Sequence, residues 1–224
     1  MKKRIYNHSV YYNMNKRFLR DIVYDLAVPP FGMDYYHMSS KKAEQNFNWF
    51  QSVIPERIQY LKTCYARDTG DNIEKLDYSS DSLIGLWKWF CSIARMEKTP
   101  ENELKSMVEG AKVFGESYIN YEQFTVATKY IMRDIGMYLG QCFILKYNDL
   151  YWTYYTKPKN SIDVNQPIIA GFWVAGQFEG AAHFNPVSAV EGCAANFYYK
   201  NQKSTDLFEI YIKWERYVPS KNSE

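Results

Sequence analysis

The residues of this chain best equipped for chemistry gather in its C-terminal third. Asp163, Asn165, Gln166, His183, Asn185 and Cys193 bring a carboxylate, three amides, an imidazole and a thiol into one stretch of sequence. Cys193 with His183 offers a thiol nucleophile and its base, but such a pair is defined by geometry in space and not by spacing along a chain. Gly192, Ala194 and Ala195 surround Cys193, a setting that suits close helix packing, so its thiol reads as core. His183 lies between Ala182 and Phe184 and reads as hydrogen-bonded and partly buried. The second chemistry is recognition. In an alternating strand, Trp152 and Tyr154 share a face opposite Tyr151 and Tyr155, close to Lys157 and Lys159, and Tyr, Trp and Arg are the residues with which proteins grip partners. The candidate binding residues are therefore Trp152, Tyr154, Asn165, Gln166, His183 and Asn185, and no residue is assigned a catalytic role.

Other chemistries lack their motifs. The three histidines, His8, His37 and His183, fall in no H-E-x-x-H or other paired-ligand spacing. Cys64, Cys91, Cys142 and Cys193 form no C-x-x-C pair, so neither a zinc site nor a thioredoxin-type site is expected. There is no phosphate-binding G-x-x-x-x-G-K-[ST] loop and no G-x-S-x-G elbow. No metal and no cofactor is expected.

The elements that must position these residues can be read from periodicity. With 224 residues, 46% hydrophobic and 18% aromatic, a chain of this size buries roughly 70% of its unfolded surface and needs no disulfide or metal staple. The stripe Phe18, Leu19, Ile22, Val23, Leu26 predicts a helix from about 15 to 26, stopped by Pro29 and Pro30. A second helical stretch, 41 to 66, carries Ala43, Phe47, Phe50, Ile54, Ile58, Leu61 and Tyr65 on one face and is kinked or divided at Pro55. A third runs from Leu83 to Met96, where Trp87 and Trp89 cannot share one face. Thr99-Pro100-Glu101 opens a fourth, ending near Gly115, with Thr99 as N-cap. A fifth spans 121 to 139, capped by Gly140.

Beyond Gly140 the period changes. Residues 141–147 and 150–156 read as an aromatic hairpin about Asn148-Asp149, and 168–178 as a third strand with Gly171 and Gly176 as bulge positions. Asn185-Pro186 opens a helix to about Tyr199. Residues 205–217 fit either period. The helix is preferred because Asp206 and Glu209 resemble a capping box. The expected fold is a single α+β domain: helices over the N-terminal two-thirds, packed on a small antiparallel sheet, with a C-terminal helix.

Lys plus Arg number 27 and Asp plus Glu 25, a net charge of +2. The only basic cluster, Lys2, Lys3, Arg4, Lys16, Arg17 and Arg20, reads as a solvated end, so nucleic-acid binding is not expected. No apolar run is long enough to span a bilayer, and no leader follows the basic start. A reduced, cytoplasmic protein is expected.

Four segments, WFQSVIPERI, LDYSSDSLIGLWKWF, DIGMYLGQCFI and NQPIIAGF, occur in an order that resembles an uncharacterised group of small bacterial proteins. The resemblance covers about residues 45 to 175. It implies no activity and carries over no functional residue. The missing catalytic motif and the surplus of aromatics favour a non-enzymatic protein that binds a protein partner, in the style of an immunity-type or accessory factor. The alternative is an enzyme or small-molecule binder with its site in the C-terminal third.

Overall fold

The structure, a computed structural model, describes residues 24–30, 32, 34–115, 119–175 and 179–219. The elements in chain order are α1 (Ser40–Thr69), α2 (Ser82–Ile93), β1 (Met96–Lys98), α3 (Glu101–Phe114), β2 (Glu122–Phe124), α4 (Val126–Lys146), β3 (Tyr151–Thr153), β4 (Ile168–Val174), β5 (Gly180–Phe184), α5 (Pro186–Ala194) and α6 (Asp206–Glu215). Both sheets are antiparallel, β1-β2 and β3-β4-β5. This is the α+β arrangement read from the sequence, mostly helical towards the N-terminus and closed by a C-terminal helix.

Helix α1 is continuous. Pro55 neither divides it nor opens a second helix, because Pro55 and Gln51, whose carbonyl the proline leaves unpaired, both lie on the solvent side. The Ser39 hydroxyl accepts from the Lys42 amide at one end, and Gly70 takes a left-handed conformation, φ 75°, at the other. Upstream, the helix read over 15–26 falls almost wholly outside the described residues. Where description begins, at Tyr24, the backbone is not helical.

A buried ionic knot fastens α1 to α4 and to the chain before α1. Asp134 is fully buried. Its Oδ2 accepts from Arg57 Nε at 2.9 Å, Arg57 Nη2 at 2.8 Å and the Tyr24 hydroxyl at 2.8 Å, and its Oδ1 from Arg133 Nε and Nη2 at 3.1 and 3.0 Å. Arg57 also donates to the Asp25 carbonyl and Arg133 to the Ala27 carbonyl, each at 2.7 Å. The guanidiniums lie over Tyr60 and Tyr130 respectively. Burial, then the Asp134 charge, pushes the Tyr24 phenol well above its ordinary range, so it stays protonated as a donor.

Aromatic rings join the helices to the three-stranded sheet. Phe143 on α4 stacks on Tyr211 of α6 with centroids 4.3 Å apart, and meets Phe172 of β4 and Phe184 of β5 edge-on at 5.5 and 5.6 Å. Trp87 is fully buried. Trp89 turns instead towards α1, donating from its indole to Asp68 Oδ2 at 3.1 Å.

Several boundaries differ from the sequence reading. Gly140 does not cap a helix: α4 runs on to Lys146, so residues 141–146 are helical and the expected hairpin is a helix, a turn and β3. The glycine serves a contact across space, since a Cβ at Gly140 would overlap the Trp152 ring. Gly140→Ala is therefore expected to lower the unfolding free energy by about 1–3 kcal/mol through overpacking, despite a helix-propensity gain of about 1 kcal/mol. Urea denaturation checks this, and unchanged stability would mean that Trp152 shifts aside freely. Gly171, at φ 103°, sits at the register shift between Ile169 and Phe172 as a bulge residue, whereas Gly176 and Phe178 lie outside the described residues. Residues 122–124 begin the stretch read as the fifth helix but pair as a strand with 96–98. Thr99 does not cap α3, because its hydroxyl donates to the Asn120 carbonyl at 2.7 Å.

Candidate functional site

Four of the polar residues singled out in the C-terminal third come together. Asn185 ends β5 and caps α5: its Oδ1 accepts from the Ser188 amide at 3.1 Å, the N-cap signal that Asn-Pro carries. Its Nδ2 donates to Asp163 Oδ1 at 2.9 Å and Gln166 Oε1 at 3.0 Å. Asp163 Oδ2 hydrogen-bonds His183 Nε2 at 3.0 Å, and Gln166 Nε2 donates to the Ile162 carbonyl at 2.8 Å. Tyr155 meets the His183 ring edge-on at 4.8 Å. Burial, then the Asp163 charge, pushes its phenol up to about 12. The turn at 161–166 places Asp163 against β5, and the sequence gives no sign of that pairing across twenty residues.

The cluster spends its hydrogen bonds on itself. Both Asp163 oxygens, both Asn185 amide atoms and both Gln166 amide atoms have protein partners, so what they do is tie the 161–166 turn to the sheet and to α5. Cys193 takes no part. Its thiol donates to the Asp206 carbonyl at 3.7 Å, and burial, then Asp206, pushes it up to about 12. A thiol so placed stays protonated near neutrality and is a poor nucleophile. Among the described residues no three His, Cys, Asp or Glu side chains gather as metal ligands.

The other predicted binding residues lie on the seam between α1 and β3. Trp152 packs edge-on against Phe50 at 5.2 Å, Tyr154 tilts against Phe47 at 4.9 Å, and both are half-buried. Of this strand, Tyr151 is the exposed aromatic. Asn165 is fully buried with φ 62°, and its Nδ2 donates to the Tyr35 and Met38 carbonyls at 2.6 and 3.3 Å.

An open groove on another side was not read from the sequence. Lys98, Thr99, Glu101, Leu104, Tyr121, Glu122 and Tyr198 line it. The β1-β2 ribbon forms its floor, the Thr99 amide donating to the Tyr121 carbonyl at 2.9 Å. Tyr198 is anchored at its base by Phe124, 5.7 Å away, and its neighbour Phe197 by Phe90 and Phe124. Tyr121 and Tyr198 remain 67% and 39% exposed. Helix α3 forms one wall. Leu104, Met107 and Ala111 recur on one face, yet none of the described side chains of α3 is buried. The amphipathic stripe of α3 was the available signal for this surface; the tyrosines at 121 and 198 are too far apart in sequence to be paired without coordinates.

The chain matches no protein-family model, no curated protein and no solved structure. Among the described residues no helix is long and apolar enough to cross a membrane.

Proposed function

We propose that this chain is a protein-interaction protein that takes an apolar segment of a protein partner into the groove between α3, the β1-β2 ribbon and Tyr198. The supporting observation is α3. An isolated helix of this length is marginal in water and depends on burying its apolar face, yet its Leu104, Met107 and Ala111 are only half covered beside two exposed tyrosines. The charges at the rim, Lys98 with Glu101 and Glu122, are of mixed sign. They leave no net positive field for the phosphate backbone of a nucleic acid and suit the polar flanks of an apolar protein segment. An immunity-type or accessory factor, which acts by covering its partner, would use a surface of this kind.

The polar cluster at Asp163 and His183 supports the alternative of an enzyme or small-molecule site less well, because its amides and carboxylate are already satisfied within the protein. A photo-crosslinking residue placed at Tyr121, with a control at solvent-facing Glu44 of α1, tests the interaction reading in the native host. One protein species is expected to be captured from position 121 and not from 44. Tyr198→Ala and Leu104→Asp are each expected to weaken the captured complex at least ~10-fold, in protein whose circular dichroism spectrum still matches that of the parent. Equal capture from both positions, or affinity indifferent to both substitutions, would remove the groove from consideration.

A further inference from the structure

A strand at the edge of a sheet presents a row of unpaired N–H and C=O groups, and folded proteins blunt such edges with charges, prolines or bulges. Strand β5, Gly180-Ala181-Ala182-His183-Phe184, is an edge of the three-stranded sheet and has no proline and no Lys, Arg, Asp or Glu. The extra residue at the register shift belongs to β4, so β5 itself carries no bulge. The opposite edge, β3, spans only Tyr151–Thr153.

The ladder fixes which groups of β5 are free. On β4 the Trp173 amide turns away from β5 and donates to the Tyr217 carbonyl at 2.7 Å. Phe172 and Val174 are therefore the residues that bond β5, at their register partners Ala182 and Gly180. By alternation the N–H and C=O of Ala181 and His183 point outward, and among the described residues these main-chain groups have no hydrogen-bond partner. Ala181 is exposed. The His183 ring is held by Asp163 Oδ2 and by the edge-on Tyr155 ring, which fixes the strand at that point.

We infer that β5 is a dimerisation edge, to which a second copy of this chain adds its own β5, antiparallel about a two-fold axis at Ala182. Ala181 of each copy would exchange N–H and C=O with His183 of the other, pairing the groups that the edge leaves free. Ala182 meets Ala182 at the axis, where Cα atoms approach to about 4.5 Å and a methyl fits. Gly180 meets Phe184 and Glu179 meets Asn185, so no like charges are opposed. The β1-β2 ribbon shows the contrast. There the Thr99 amide bonds the Tyr121 carbonyl and the Thr125 amide the Arg95 carbonyl, so Met96 and Lys98 face outward on β1. The same operation on β1 would set Glu97 against Glu97. A two-fold pairing uses up the β5 edge in both copies and closes on itself. Strand β5 and the groove at α3 are different elements, so either reading can fail alone.

The test follows the full chain by sedimentation equilibrium and by amide hydrogen exchange as concentration rises. A monomer–dimer equilibrium is expected. Exchange at the Ala181 and His183 amides should slow as the dimer forms, while the Ala182 amide, already bonded to β4, changes less. Ala181→Pro removes an outward N–H and no bond to β4, and Ala181→Lys adds a charge of the kind that guards edges. Each is expected to weaken the dimer at least ~10-fold. If Ala181→Pro fails to fold, Ala181→Lys and the exchange pattern of the parent decide the matter. A monomer at every concentration up to ~1 mM would overturn the inference, whether or not the edge accepts a strand from another protein. So would a dimer indifferent to both substitutions, or one that Tyr198→Ala breaks and the β5 variants spare, which would put the interface in the groove.

Discussion

Replacing Asp134 by alanine is expected to remove about 3–5 kcal/mol of folding free energy, the typical loss when one partner of a buried ion pair is deleted. The geometry explains why the effect should fall in that range. Asp134 accepts five hydrogen bonds, two from each of Arg57 and Arg133 and one from Tyr24. Without it, Arg57 and Arg133, 2% and 9% exposed, face each other with only the solvent-exposed Asp25 carboxylate, 3.9 Å from Arg57, as countercharge. The aromatic faces of Tyr60 and Tyr130 offset only part of that, since a cation–π contact is worth about 0.5–2 kcal/mol. Typical domains are stable by about 5–15 kcal/mol, so the variant gives up a large share. Equilibrium urea unfolding measures it, with Asp134→Asn expected to fall between parent and Asp134→Ala. A loss below about 1 kcal/mol, the value of an exposed pair, would show that water reaches the knot.

Phe143→Ala is expected to cost a comparable amount, about 3–5 kcal/mol, through transfer and cavity effects combined. Phe143 is fully buried and touches three elements at once: β4 through Phe172, β5 through Phe184 and α6 through Tyr211. Trp214 packs on the same two phenylalanines at 5.3 and 4.7 Å, so its fluorescence reports directly on the cluster. The variant should show a lower urea midpoint, and amide exchange should accelerate in 168–184 and 206–215 before it does in α1. Uniform acceleration across the chain would mean that the aromatic cluster is not a separate joint between helices and sheet.

How far the sequence carried the fold depended on where each signal had its cause. Asn185-Pro186 was legible because both the cap and the fixed proline φ act within one turn. The preferred helix at 205–217 holds for a similar reason, although the Thr205 hydroxyl, and not Asp206, reaches Glu209. Gly140 misled because a glycine ends a helix locally and admits a tryptophan ring non-locally, and the two leave the same mark in sequence. Strands β1 and β2, Met-Glu-Lys and Glu-Gln-Phe, are too short to display an alternation.

The candidate sites divide along the same line. The convergence of Gln166, His183 and Asn185 was anticipated as composition. The saturation of their hydrogen bonds through Asp163, which changes their meaning, needed coordinates. Tyr121 and Tyr198 line one groove only because the ribbon and the turn after α5 return to the same end of α3.

The contacts that fasten the chain ahead of α1 are made mostly to its main chain. Arg57 and Arg133 take the carbonyls of Asp25 and Ala27, which every amino acid possesses, whereas Tyr24 contributes its own hydroxyl. Evolution is therefore free to rewrite the side chain at 27, gives up at 25 only an exposed carboxylate 3.9 Å from Arg57, and is bound to keep a phenol at 24.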